Sequence, residues 1–101
     1  MTIPEADWRV FTKLKEKALS RFCDQILVEI DTIRANETLS SYDQYLKIFA
    51  LTKKRDRELA KIFDFHSRSK ALMQLHLIVC HDLLEEKELS QLSEETRKAV
   101  E

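Results

Sequence analysis

The stretch "DWRVFTKLKEKALSRFCDQILVEIDTI", residues 7–33, indicates an α-helical fold. Its apolar residues recur every three or four positions, which is the spacing of an α-helix with one buried face. The residues just before it form a capping-box pattern, with Thr2 as the cap, Glu5 three residues later and Pro4 in the first turn. A first helix is therefore predicted from about Ile3 to Ala35. Its apolar stripe consists of Trp8, Phe11, Ala18, Leu19, Phe22, Cys23, Ile26, Ile30 and Ile33.

A second helix is predicted after a short break in this period. Asn36 is the expected C-terminal cap of the first helix, and Ser40 or Ser41 caps the second. The second helix is predicted from about Tyr42 to Phe65. The run "TKKRDRE" within it holds no large apolar residue, but because no Gly or Pro interrupts it, we expect the helix to continue with a solvated charged face. The expected buried stripe is Tyr42, Tyr45, Leu46, Phe49, Leu59, Ala60 and Phe63.

A third helix is predicted from about Ser67 to Leu84, after the turn "HSRS". Its apolar residues cover roughly 200° of the helix surface at about 100° per residue, which is too wide for a helix with one buried side. This helix should lie at the centre of the domain or be covered by a second subunit. The tail then predicts two short helices, one from about Glu85 to Gln91 and one capped by Ser93.

The composition agrees with an all-helical protein. The 101 residues include no Gly and one Pro, whereas β-hairpins depend on Gly, Asn and Asp in their tight turns. The predicted fold class is all-α: an antiparallel bundle of three principal helices with a short helical C-terminal tail. We expect a single domain over residues 1–101.

Charge and hydropathy narrow the classes of function. Lys and Arg number 17 and Asp and Glu 18, so the net charge is -1 and a nucleic-acid partner is not expected. One basic run holds four candidate phosphate contacts, Lys53, Lys54, Arg55 and Arg57. Asp56 and Glu58 within it lower its net positive charge. The opening residues "MTIPEADW" lack the features of a signal peptide, and no apolar run is long enough to cross a bilayer. We therefore expect a cytoplasmic protein with reduced cysteines and no membrane partner.

Two stretches of the chain resemble a known group of proteins. They are "WRVFTKLKEKALSRFCDQIL", residues 8–27, and "KKRDRELAKIFDFHSRSKALMQL", residues 53–75, with "LSEETR" after them. Together they are similar to a group of small, uncharacterised, all-helical bacterial proteins, and the resemblance spans most of the chain. It implies a helical fold and a bacterial origin, and it implies no activity.

The stretch "HLIVCH", residues 76–81, contains two histidines and a cysteine, which are potential metal ligands. His76 and Cys80 are four residues apart and share a face of the third helix. His81 points about 140° away from His76, at about 100° per residue, and is expected at the surface or near the C-terminal end of the helix. The stretch is therefore not expected to form a site with two histidine ligands.

A buried polar cluster of Asp56, His76 and Lys15 is the main site prediction. With three helices running up, down and up, Asp56 comes level with His76. Asp56 also shares a stripe with Phe49 and Phe63, and a lone buried charge there would cost several kcal/mol, so we expect it to pair with His76. Lys15 either supplies a second counter-charge to Asp56 or extends its amine to the rim of the core.

Two chemical alternatives use some of the same residues. Thiolate, imidazole and carboxylate groups are sufficient for tetrahedral zinc, and the candidate ligands are Cys23, Asp56, His76 and Cys80, although their spacing matches no recognised motif. An enzyme could use Asp56 and His76 as an acid–base pair, but the sequence has no nucleophile motif or phosphate loop to support it. The sequence favours a non-enzymatic protein without a cofactor.

The length of the first helix favours self-association. At about 1.5 Å per residue it would be about 48 Å long, whereas a compact domain of this size is a sphere roughly 34 Å across. The helix must therefore kink, project or be covered by a partner. Together with the wide apolar arc of the third helix, this predicts a small soluble protein that acts through protein–protein interaction or regulation as a homodimer, with metal binding as the alternative.

Overall fold

A computed structural model of the chain describes residues 2–100, and it confirms the all-α fold class. No strand occurs among these residues. Three longer helices pack against one another, and two short ones form the tail. The elements are α1 Glu5–Arg34, α2 Ser41–Phe63, α3 Ala71–Cys80 with a 3-10 turn Arg68–Lys70 before it, α4 Glu86–Leu89 and α5 Glu94–Ala99.

The predicted capping box at the start of α1 is wrong. Pro4 occupies the N-cap position with extended backbone, and no side chain caps the helix. Ile3 explains the difference, because its side chain is buried and its carbonyl oxygen accepts a hydrogen bond from Arg68 Nε at 2.8 Å. The segment before α1 is therefore held against the start of the third helical region by a tertiary contact. Acidic Glu5 and Asp7 in the first turn suit the helix dipole.

The contacts between α1 and α2 show that these helices run antiparallel. Three contacts along α2 show this: Gln44 bonds Arg34 of α1, Arg55 bonds Glu29, and the ring of Phe63 lies against Phe22. The residue numbers of the α1 partners decrease as the residue numbers in α2 increase. The Phe22 and Phe63 ring centroids are 5.9 Å apart. An edge-on contact between Phe22 and His81, together with the Ile3–Arg68 bond, places α3 parallel to α1.

The second helix begins and continues as predicted. The side chain of Ser40 caps it by accepting from the backbone N–H of Asp43 at 3.0 Å. The helix then runs without a break through residues 52–58 and ends at Phe63, two residues earlier than predicted. Asn36 lies one residue beyond the C-cap of α1, and its side chain accepts two hydrogen bonds from Thr38.

The third helix is shorter than predicted because a tight reversal ends it at Cys80. Asp82 adopts a left-handed conformation with φ 55°, a position that Gly often fills. The N–H of Asp82 donates to the carbonyl of Val79, and that of Leu83 donates to the carbonyl of Ile78. This is the Schellman arrangement, and it turns Leu83 into the core, where it is 2% exposed.

The core lies at one end of an elongated molecule. The buried apolar residues come from the first half of α1, the end of α2, α3 and the tail. Between Phe22 and Ile62 only Gln44 is buried. We call residues 23–61 the arm and the remaining described residues the body. The structure measures 52 × 24 × 19 Å, and α1 runs as one helix that projects beyond the body, which is one of the three options predicted for a long first helix.

Asp7 holds the tail helix α5 against α1. Its carboxylate accepts from the backbone N–H of Ser93 at 2.9 Å, from the Ser93 hydroxyl at 2.6 Å and from the Thr96 hydroxyl at 2.5 Å. Burial would raise the pKa of Asp7, but these hydrogen bonds outweigh burial and lower it.

Glu88 holds α4 in a similar way. Arg21 of α1 donates two hydrogen bonds to this buried carboxylate, at 2.6 and 3.0 Å, and the backbone N–H of Glu85 donates a third. The Arg21 bonds first, and then the Glu85 bond, lower the pKa of Glu88 from its ordinary 4.5 to about 2. The tail is therefore attached to α1 at two buried carboxylates.

None of the helices formed by residues 2–100 combines the length and the apolar character needed to cross a membrane.

Candidate interaction surface

Four apolar side chains on the first half of α2 point away from the rest of the molecule. They are spaced at i, i+3, i+4 and i+7, which aligns them on one side of the helix. Their exposed fractions are 68% for Tyr42, 62% for Tyr45, 42% for Leu46 and 58% for Phe49. We call these four residues the aromatic stripe. Helices of soluble proteins normally bury such a stripe against a neighbour, so this one has no partner within the described chain.

The prediction that this stripe lines the core is wrong, because α2 has a second side that packs against α1. Arg55 bonds Glu29 of α1, and half-buried Ile48 and Leu51 lie on the same side of α2 as Arg55. These residues are roughly 100–160° round the helix from Phe49, at about 100° per residue. The helix α2 thus has two apolar faces. The face with Ile48, Leu51 and Arg55, which is less aromatic and partly polar, packs against α1.

Two polar junctions fix the orientation of α2 on α1. At the tip of the arm, buried Gln44 accepts from Arg34 at 2.7 Å and donates to the backbone carbonyl of Asn36 at 3.1 Å. At its base, Arg55 bonds both Glu29 and Glu58, and its guanidinium lies 4.9 Å from the ring centroid of Phe22. Because both ends of the contact are fixed, the aromatic stripe is held outward.

The stripe is itself ordered by ring stacking. The rings of Tyr45 and Phe49 are stacked with centroids 6.5 Å apart and an interplanar angle of 30°. Tyr42 lies one turn before Tyr45, next to the Ser40 cap that fixes the start of the helix. A partner would therefore meet an apolar surface whose backbone and ring positions are already defined, which lowers the entropy cost of binding.

The structure corrects the predicted buried cluster. Asp56 and His76 are both exposed and Lys15 is half-buried, and no hydrogen bond or ion pair joins any two of them within residues 2–100. The reason lies in the faces of α2: Asp56 is two turns beyond Phe49 and shares its outward side, so it is exposed with the stripe. The acid–base pair that an enzyme would need, Asp56 with His76, is not assembled either.

The three predicted cluster residues have other neighbours. His76 Nδ1 lies 3.3 Å from the carbonyl oxygen of Val100. Lys15 donates to the carbonyl of Phe65, just beyond the end of α2. Burial lowers the pKa of Lys15, and the charge of Asp64 opposes that effect. The side chain of Asp56 forms no hydrogen bond or ion pair among the described residues.

Of the four candidate metal ligands, the structure brings together two. Cys80 Sγ lies 3.6 Å from His76 Nε2, as their i, i+4 spacing predicts. Cys23 is a half-buried free thiol on α1. Residues 2–100 contain no group of three or more His, Cys, Asp or Glu side chains that could hold a metal ion. His81 is the C-cap residue of α3, near the helix end as predicted.

Comparison with known proteins gives no match to a family model, to a curated protein or to a solved structure. The resemblance to small helical bacterial proteins therefore stays an expectation, and the functional proposal rests on the chain's own surface.

Proposed function

We propose that the protein acts through protein–protein interaction as a homodimer, with the aromatic stripe as the contact between two copies. A single observation carries the proposal: Tyr42, Tyr45, Leu46 and Phe49 are exposed side by side on a helix whose orientation is fixed. An exposed apolar patch of this kind marks an interaction surface more often than it marks a chance arrangement.

The size of the stripe sets the expected strength of the dimer. Three aromatic residues and a leucine with these exposed fractions offer on the order of 400 Å² per copy. Two copies together then bury somewhat less than the roughly 1,200–2,000 Å² of a standard stable interface. We therefore expect a reversible dimer that dissociates in the micromolar range.

A second copy suits the stripe because the stripe is self-complementary under a two-fold axis. If two α2 helices pack antiparallel about an axis between residues 45 and 46, Tyr42 meets Phe49 of the partner subunit, and Tyr45 meets Leu46 of the partner subunit. Like charges do not face each other across the centre of this arrangement.

The proposal includes a bacterial source and a cytoplasmic location. Cys23 and Cys80 are both free, which suits a reducing compartment. The bacterial source rests on the resemblance described above.

Sedimentation equilibrium over about 1–100 μM, the range in which a patch of this size should dissociate, tests the proposal. We expect wild type to shift from monomer to dimer, and Phe49→Glu to stay monomeric because it places a charge against Tyr42 of the partner subunit at both ends of the contact. Met73→Glu is the matched control, since Met73 is 45% exposed on α3, away from the stripe, and should leave dimerisation unchanged. A wild-type protein that stays monomeric throughout, or a Phe49→Glu variant that dimerises normally, would overturn the proposal.

A further inference from the structure

A row of unpaired basic side chains runs along another side of α2. All of its members are exposed, and none of them forms an ion pair or a side-chain hydrogen bond within residues 2–100. We call this row the basic ridge. Its members are Lys47, Lys53, Lys54, Arg57 and Lys61.

Asp56 and Glu58, the acidic residues within the length of the ridge, do not neutralise it, contrary to the expectation from sequence. Glu58 is paired with Arg55 at 2.7 Å, on the side that faces α1. Asp56 lies on the outward side with the aromatic stripe, whereas the ridge is centred roughly 100° further round at about 100° per residue. From Lys47 to Lys61 no acidic side chain lies on the arc of the ridge, and the exposed Asp43 and Asp64 lie on that arc just beyond its two ends, at about 100° per residue.

The spacing within the ridge matches the repeat of another helix. Lys47, Lys54 and Lys61 are seven residues apart, which places them about 10.5 Å from one another along a line about 21 Å long. Carboxylates seven residues apart on a partner helix have the same repeat, so three pairs can form in register. Ala50 lies between Lys47 and Lys54 on the same arc, and its small side chain allows a partner helix to approach closely.

A nucleic acid and the chain's own tail match the ridge less well. Phosphates recur about every 3.4 Å along each strand of a duplex, so the ridge would meet roughly one phosphate in three. The acidic tail helices α4 and α5 have four and six residues and cannot span the ridge. We propose that the basic ridge binds an acidic α-helix of a partner protein, with carboxylates at seven-residue spacing on one face.

This inference is separate from the proposed dimer, because Lys47, Lys54 and Lys61 lie roughly 120–160° round α2 from Phe49, at about 100° per residue. A dimer that covers the stripe leaves these three lysines accessible. Binding at the ridge should weaken with added salt, since exposed charge pairs are screened over about 8–10 Å at physiological ionic strength.

Fluorescence anisotropy with labelled synthetic peptides tests the inference at low ionic strength. The probe is an alanine-rich helical peptide with glutamates seven residues apart, and the control peptide has the same composition with the glutamates distributed around the helix. We expect the probe to bind about tenfold more tightly than the control peptide, and the double change Lys54→Glu with Lys61→Glu to remove that difference. Lys13→Glu, at an exposed position of α1, should leave it intact.

Two outcomes would overturn the inference. Equal binding of the two peptides would show that the spacing of the ridge is not recognised. Tighter binding of a 20-nucleotide single-stranded DNA than of the probe, lost in the same double variant, would assign the ridge to nucleic acid instead. Circular dichroism of the variants should be unchanged, because the substituted side chains are exposed.

Discussion

At the scale of single residues, Asp82 shows how a chain without Gly ends a helix. Its left-handed backbone, with φ 55°, lets Leu83 turn back into the core. Such a conformation costs a β-branched residue about 1–2 kcal/mol, whereas Gly adopts it freely. We expect Asp82→Val to lower the free energy of unfolding by about 1–2 kcal/mol in urea denaturation, and Asp82→Gly to stay within about 0.5 kcal/mol of wild type. Equal losses in the two variants would contradict this role for the backbone.

Protonation of Glu88 should lower the stability of the folded protein at acidic pH. Because its pKa is lowered to about 2 in the folded protein, its contribution is complete above the ordinary value of 4.5 and is lost as the pH falls toward 2. The contribution is about 2 kcal/mol, less than the full shift implies, because the Arg21 side chain is 38% exposed and water screens the pair. Glu88→Gln should therefore be less stable at pH 7 and lose less stability between pH 4.5 and 2. If the free energy of unfolding fell equally with pH in wild type and in Glu88→Gln, this contribution of Glu88 would be contradicted. Asp7, whose pKa is also lowered, remains in both proteins.

At the scale of helices, Asp7 should hold α5 in place. Asp7→Ala removes the acceptor for three hydrogen bonds, one from the buried Thr96 hydroxyl and two from partly buried groups of Ser93. We expect a loss of about 2–3 kcal/mol in the free energy of unfolding, and faster amide exchange in residues 94–99. Glu94→Ala, at an exposed position of α5, is the control. A global loss of stability without faster exchange in α5 would mean that Asp7 does not act through this helix.

The helices could be predicted from sequence, but the face each one buries could not. Periodicity placed α1, and the Ser40 cap and the absence of Gly and Pro placed α2. On α2, however, periodicity marks the outward stripe around Phe49 more strongly than the α1-facing side with Ile48 and Leu51, because the latter includes Gln44 and Arg55. Choosing the larger apolar face as the buried one also placed Asp56 in the core. The roles of Asp7 and Glu88 gave no sequence signal, because each carboxylate joins α1 to the tail, and periodicity does not define where the tail docks.

At the scale of the whole molecule, the arm should be the less stable part of a monomer. Between Phe22 and Ile62 only Gln44 is buried, so little apolar burial opposes local opening there. Dimerisation through the aromatic stripe would cover part of the exposed surface of the arm. We expect amide exchange in residues 42–50 to be fast in dilute protein and to slow as the concentration rises, while exchange in α3 stays the same. Exchange in the arm that does not depend on concentration would argue against a partner copy on the stripe.

Disulfide trapping at the proposed two-fold axis tests whether two copies meet at the aromatic stripe. In a Cys23→Ser, Cys80→Ser background, Leu46→Cys places a thiol beside the axis, where two copies can approach within the roughly 4.4–6.8 Å between α-carbons that a disulfide requires. Lys61→Cys places one about 22 Å further along α2, at about 1.5 Å per residue. The antiparallel dimer predicts covalent dimers on mild oxidation of the Leu46→Cys variant and few for Lys61→Cys. Equal yields from the two variants, or no covalent dimer from Leu46→Cys, would contradict the aromatic stripe as the homodimer interface.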